Sequence, residues 1–243
     1  MSAADVRIRD TAEQSAQACG TYILQELEEV LKLRPRAVVA ISGGTSPKPL
    51  FSFLAKADFD WPRVHFFWVD ERCVPPSDDQ SNFKLASETL LAPAEIPVHN
   101  VHRIHGEMVP EEAAIRYIQE IQQFFELQEH ELPVFDLIHR GMGPDAHTAS
   151  LFPGEPLIAN RTGIAAAVWV EKLKSHRVTL LPGVLLAARR TVVQVAGADK
   201  AEALHNVLHG PEDVSRFPCQ LAARDCKKAV WFVDRPAAAK LNP

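Results

Sequence analysis

Five short apolar runs, widely spaced along the chain, constrain its fold more than any other feature. They are "AVVAIS" (37–42), "VHFFWVD" (64–70), "VFDLIHRG" (134–141), "TVVQVAG" (191–197) and "KAVWFVD" (228–234). All are rich in β-branched and aromatic residues, as strands are. Their apolar residues are consecutive rather than alternate, which suits strands covered on both faces. Between them lie segments of helical period. Residues 10–33 place Tyr22, Ile23, Leu27, Val30 and Leu31 along one side. "SNFKLASETLL" begins a helix at Ser81 or Asn82. "PEEAAIRYIQEIQQFFEL" (110–127) opens with Pro110 and has acids in its first turn, and "DKAEALHNVLH" follows the fourth run. Strands joined through helices of this length are parallel crossovers, so the pattern predicts an α/β fold: a mostly parallel sheet with helices on both faces. "AAVWVEK" and "RVTLLP" add two further strands, and a short helical tail is expected after the last run. No repeat, low-complexity tract or linker interrupts the pattern, so residues 1–243 are expected to form a single domain.

Composition narrows the function. The net charge of −5 gives no basic surface for nucleic acid or an anionic membrane. "MSAADVRIRDTAEQ" has charges where a secretory signal needs an apolar stretch, and the apolar run near "GIAAAVWV" is too short to span a bilayer. Cys19, Cys73, Cys219 and Cys226 form no C-x-x-C pair and suggest neither zinc nor a disulfide framework. A reducing, cytoplasmic setting is the expectation.

In open α/β sheets ligands bind beyond the carboxyl ends of the strands. Four stretches with chemical character fall there, and they are expected to converge on one crevice. Ser42, Gly43, Gly44 and Thr45 form a glycine turn that lets the backbone curl around a phosphate. It is neither a Walker A loop nor G-x-G-x-x-G, and an ordinary capped turn reads equally well. Asp70, Glu71 and Arg72 end the run "VHFFWV"; Arg72 suits a phosphate, a carboxylate or a polarised carbonyl, and the competing reading is a structural ion pair. Asp145 and His147 lie in "GMGPDAHTASLFPG" (141–154), where an imidazole can take a proton near neutrality and a carboxylate can orient it. His147 is one of ten histidines, most of which must be bystanders. Lys200 begins a helix after "VQVAG", where a cation opposes the helix dipole unless an anion binds there. Arg177, opening "RVTLL", is a candidate of the same kind. "HNVHRIH" spaces His99, His102 and His105 by three, yet the segment reads as strand or turn and so favours a structural role over a metal site. Cys73 has no thiolate-activating motif, and no G-x-S-x-G elbow is present.

Taken together, "ISGGTSPKPLFSFLA", "VDERCVPPSDDQSNFKLA", "NVHRI", "FDLIHRGMGPDAHTASLFPG", "RVTLLPGVLLAARR" and "GADKAEAL" resemble the 6-phosphogluconolactonase family, in its order, from about residue 5 to 240. The resemblance implies a modified Rossmann-like α/β fold related to glucosamine-6-phosphate deaminase and ribose-5-phosphate isomerase. It implies hydrolysis of 6-phospho-D-glucono-1,5-lactone, the second step of the oxidative pentose phosphate pathway, with no metal or organic cofactor. The partner is then a small sugar-phosphate lactone, with neither nucleic acid nor membrane; the oligomeric state is left open, a monomer being the simpler expectation. By the resemblance Ser42–Thr45 carry over to the phosphate loop, Lys200 and Arg177 face the phosphate, Asp70, Glu71 and Arg72 line the site, and Asp145 and His147 form the catalytic turn with His147 as base.

The sequence departs from that pattern at two points. Ala146 stands where the family usually has glycine, and alanine disfavours positive φ. His139-Arg140 replaces residues that are typically apolar; Arg140 either adds a positive charge near the site or points to solvent. The nearest rival is an amino-sugar-phosphate deaminase or isomerase on the same fold, but such proteins carry a glutamate soon after the histidine. Here Thr148, Ala149 and Ser150 follow, and the next glutamate is Glu155. A non-catalytic sugar-phosphate-binding protein is the other rival; it would usually carry a DNA-binding module, for which the chain has no basic helix-turn-helix segment.

Overall fold

A computed structural model describes residues 4–44, 47–226 and 228–241. Seven parallel strands form the main sheet, in the order β1 (Asp5–Arg9), β10 (Ala229–Asp234), β9 (Thr191–Val195), β6 (Leu137–Gly141), β2 (Ala37–Ile41), β3 (Val64–Trp68) and β5 (Val101–His102). From β2 the chain steps one way, to β3 and β5. It then returns to β6 on β2's other side and continues to β9 and β10. The order therefore reverses between β2 and β6, where open α/β sheets open a crevice.

The five strands predicted from apolar runs all lie in this sheet. Its edge strand β1 carries no comparable run: "DVRIR" holds two apolar residues among charges and is largely exposed, so only pairing with β10 makes it a strand. Helix α1 (Ala12–Leu33) begins with a capping box, in which Thr11 accepts from the Gln14 N–H and the Gln14 side chain accepts from the Thr11 N–H. Further helices are α2 (Lys48–Leu54), α3 (Asn82–Ala86, N-capped by Ser81), α4 (Pro110–Phe125), α5 (Pro182–Ala187) and α6 (Ala201–His209). At β9 and β10 the residues alternate between two buried clusters, Val192 and Phe232 on α1's side, Val193 and Trp231 on α6's side, so both faces are covered.

"AAVWVEK" and "RVTLLP" depart from the parallel scheme. They form β7 (Ala165–Val170) and β8 (Ser175–Leu180), an antiparallel hairpin, because the four residues between them are too few for a crossover. β4 (Asp70–Arg72) joins β8 to complete a second, three-stranded antiparallel sheet. Val69 links the two sheets: its N–H donates to Ile41 of β2, and its carbonyl accepts from Leu180 of β8. The expected helical tail is a run of turns over 235–240. Among the described residues no helix is long and apolar enough to cross a membrane.

Candidate active site

The four strand-end stretches meet. Ser42, Gly43 and Gly44 after β2, Asp70 and Arg72 of β4, the turn after β6 with His147, and Lys200 before α6 line one cleft of about 240 Å³, which Arg177 of β8 also enters. Thr45 lies outside the described residues. Gly44 takes φ +97°, which suits glycine, and a side chain at Gly43 would run into the Asn82 carboxamide.

Two candidates stand behind the cleft wall. Glu71 is 2% exposed. Its carboxylate accepts from the backbone N–H groups of Arg72, Asn82 and Phe83 and from the Ser81 hydroxyl. Burial pushes its pKa up against those four hydrogen bonds. Its work is to hold the start of α3, and with it Asn82, against β4; that is a correction to its expected place in the lining. Asp145 stands behind His147.

His147 is held on three sides. Its Nδ1 lies 2.5 Å from Asp145 Oδ1, its ring stacks on Phe152 at 4.1 Å between centroids, and a Cβ on Gly143 would lie 2.1 Å from its ring atoms. Gly143 is thus required for the imidazole to lie over the turn. Asp145 Oδ2 accepts from Lys172 Nζ at 2.9 Å. Burial pushes the Asp145 carboxyl up, but the hydrogen bonds from His147 and Lys172 outweigh it and hold the group well below the usual carboxylate range. An ionised Asp145 takes the Nδ1 proton as its hydrogen bond, which leaves the lone pair on Nε2 of a ring that lines the cleft.

The cleft walls are cationic although the chain is acidic. Arg72 and Arg177 are directly opposed across β4 and β8. Like charges in that register destabilise a sheet unless an anion offsets them. Arg72 spends one nitrogen on the Gln80 carbonyl at 2.5 Å, while its Nε and that of Arg177 are buried without a partner. Burial and the Arg72 charge lower the pKa of Arg177; Asp70, 3.8 Å away, opposes them. Asp70 also accepts from Ser150 Oγ at 2.6 Å. Lys200 donates to the Ala196 carbonyl at 2.8 Å.

Several residues at the cleft carry no signal in the sequence. Asn82 donates to the Asp70 carbonyl and leaves its own Oδ1 buried without a partner among the described residues, as is the Ser42 hydroxyl. Ser150 and Phe152 lie within the conspicuous "HTASLFPG", whose later letters read as turn residues. Arg177 lies over Phe152 at 5.6 Å, on top of the His147 stack. His139 and Gln194 form the polar floor, with His139 Nε2 3.3 Å from Gln194 Oε1. Burial lowers His139 to a pKa of about 4, so it is neutral near pH 7.

Both departures from the family pattern have structural outcomes. Ala146 does take positive φ, +64°. The turn is pinned by Gly143 N–H to His147 O, Ala146 N–H to Gly143 O and Cys219 N–H to Ala146 O, while the methyl is fully buried. Arg140 does neither of the things expected of it. Strand alternation puts it on the α6 side of the sheet, 0% exposed, where its charge faces Cys219 and Cys226 and its guanidinium nitrogens have no hydrogen-bond partner. That absence of a partner holds among the described residues, and burial lowers the Arg140 pKa. Cys73 is not primed as a nucleophile, since burial and Glu71 push its thiol up to about 11. His102 is spent structurally, between Glu120 at 2.8 Å and His65 at 3.1 Å.

An α/β protein with a switch-point crevice that holds a carboxylate-bound imidazole and three cations is what the fold and the cleft present. The chain belongs to the glucosamine-6-phosphate isomerase/6-phosphogluconolactonase family, which matches residues 10–231. It is similar to a 6-phosphogluconolactonase of Treponema pallidum, 36% identical over 82% of this chain and 83% of that one. A second from a Nostoc species is 34% identical over 90% and 91%. Its fold matches the crystal structure of 6-phosphogluconolactonase from Thermotoga maritima with a TM-score of 0.82, 29% identity and coverage of 96% and 100%. A monomeric glucosamine-6-phosphate deaminase, 18% identical with a TM-score of 0.82, shares the fold.

Proposed function

We propose that this chain hydrolyses 6-phospho-D-glucono-1,5-lactone to 6-phosphogluconate, with His147 as general base. The observation that carries the reading is the His147 arrangement: Nδ1 is committed to Asp145, and the ring lines a cleft that also holds Arg72, Arg177 and Lys200. Nε2 takes a proton from water as the water oxygen bonds to the lactone carbonyl carbon. The carbonyl oxygen becomes an oxyanion, for which Arg72 is the nearest kind of donor. When the tetrahedral intermediate collapses, the bond from that carbon to the ring oxygen breaks. The imidazolium returns its proton to the departing ring oxygen, leaving an open-chain acid and a neutral base. Asp145 keeps the tautomer and steadies the transient imidazolium.

The phosphate has its anchor in the Ser42–Gly44 turn, Lys200 and Arg177; the Ser42 hydroxyl and Arg177 Nε, without partners among the described residues, suit a dianion. Binding that end orients the ring against His147. Thr45 belongs to the same turn in sequence. The deaminase alternative needs a second acid–base carboxylate after the histidine, and Glu155 instead accepts from the Leu157 N–H as a cap.

The decisive assay follows hydrolysis of 6-phosphogluconolactone against its spontaneous rate, for wild type and His147→Ala, beside unphosphorylated gluconolactone. Catalysis that favours the phosphorylated lactone and collapses in the variant is expected. A variant with near-normal kcat would sink the general-base role.

A further inference from the structure

Lys172 belongs to none of the strand-end turns, yet it reaches the catalytic turn from 27 residues away and donates to the Asp145 oxygen that His147 leaves free. It sits at the tip of the β7–β8 hairpin, in a single turn over Glu171–Leu173 closed by Lys174 at φ +47°. The hairpin is stiffened by the opposed pair Trp169 and His176, whose rings lie 4.7 Å apart, and anchored at its base by the pairing of Arg177 with Arg72. The same β-arm therefore places one cation in the cleft wall and another behind the base.

We propose that Lys172 is a positioning residue: through Asp145 it fixes the His147 imidazole and offsets the carboxylate charge that would otherwise favour a protonated ring. This rests on the reading of His147 as base. A carboxylate that accepts from both His147 Nδ1 and Lys172 Nζ has both oxygens engaged, so it cannot swing away from the ring. An Asp145 without Lys172 leaves a full negative charge beside the imidazole and holds the proton on it to higher pH. The other charged groups at His147 come from separate elements: Arg177 across Phe152, Asp70 and Arg72 of β4, and Lys200 before α6. Neutral His139 lies on the floor and the Cys219 thiol behind the turn, and burial pushes that thiol up to about 11. None of these groups bonds to Asp145 among the described residues. Lys172 is the cation that does, and at 64% side-chain exposure it is open to screening by salt.

The test compares pH profiles of kcat/KM for 6-phosphogluconolactone in wild type, Lys172→Met, Lys172→Arg and His147→Ala. In Lys172→Met the acidic limb should move up by roughly half a pH unit, so that the ratio of kcat/KM at pH 6 to that at pH 8 falls about threefold. Lys172→Arg should restore the wild-type limb. Raising NaCl from about 0.05 to 0.5 M should move the wild-type limb in the same direction and leave that of Lys172→Met nearly still. A limb unmoved in Lys172→Met, or moved equally in Lys172→Arg, overturns the proposal. If His147→Ala keeps wild-type activity, the base assignment itself fails; if it is inactive while Lys172→Met keeps the wild-type ratio, the role of Lys172 alone fails.

Discussion

The two ends of the parallel sheet carry similar residues and use them in opposite ways. At the amino ends of the strands, charges are matched. Buried Asp136 accepts from the Val38 N–H at 3.0 Å and from Arg34 at 2.6 Å, Arg190 pairs with Glu26 at 2.8 Å, and Arg63 donates to the carbonyls of Leu31, Arg34 and Pro35. At the carboxyl ends, among the described residues, Arg72 and Arg177 face each other with Nε atoms unmatched, and the Ser42 hydroxyl and Asn82 Oδ1 are buried without partners. A hollow of about 560 Å³ lies at the matched end; the smaller cleft of about 240 Å³ holds the unmatched groups. Size does not mark the site. The grouping of opposed like charges with unbonded polar atoms does, since unbonded atoms by themselves also occur at Trp61, Arg140 and Arg224, outside the cleft.

The strongest way to break this comparison is at the base. His147→Ala should lower kcat by roughly 10²–10⁴-fold with the far-ultraviolet circular dichroism spectrum unchanged. Next come the opposed arginines. Arg177→Met should lower kcat/KM by about 10–100-fold and narrow the preference for phosphorylated over unphosphorylated lactone, read by steady-state kinetics on both. Without substrate, relief of the Arg72 repulsion is opposed by the loss of Arg177 from buried Asp70, so the kinetic preference and not Tm is the readout.

At the matched end the signs should reverse. Asp136→Asn should cost about 1–3 kcal/mol in urea unfolding, since it strips a buried carboxylate from Arg34, while kcat/KM of the folded protein holds. Neutral His139 adds a pH effect. Burial depresses its folded pKa from 6.5 to about 4, so its contribution is full above 6.5 and is lost as pH falls from 6.5 towards 4. His139→Leu should flatten the decline of Tm across that window. The smallest effect belongs to Ala146→Gly: relief of a left-handed φ of +64° and loss of a buried methyl should nearly cancel, leaving stability within about 1 kcal/mol by urea unfolding.

Much of this was legible in the sequence, for identifiable reasons. Buried parallel strands must be apolar on both faces, so five of the seven main-sheet strands stand out as runs, and crossovers long enough for helices make them parallel. Strand ends must carry the chemistry, so Ser42, Asp70, Arg72, His147 and Lys200 are visible before any coordinate. β1 is not, because an edge strand needs only one neighbour and tolerates charges. Nor is the second sheet, because "AAVWVEK" and "RVTLLP" look like any other strands until their short connection is weighed.

What the sequence by itself determined is the layered α/β plan and the identity of the groups that could react, since both follow from periodicity and residue chemistry within single elements. What only the tertiary structure decided is which groups oppose, match or abandon one another. Glu71 and Arg72 are neighbours in the chain, yet one holds α3 and the other faces the cleft. His139 and Arg140 point through opposite faces of the sheet. Lys172 meets Asp145 only because a hairpin folds back over the catalytic turn. Electrostatic and hydrogen-bond energies depend on distances of a few ångströms between residues far apart in sequence, and those distances exist only once the chain has folded.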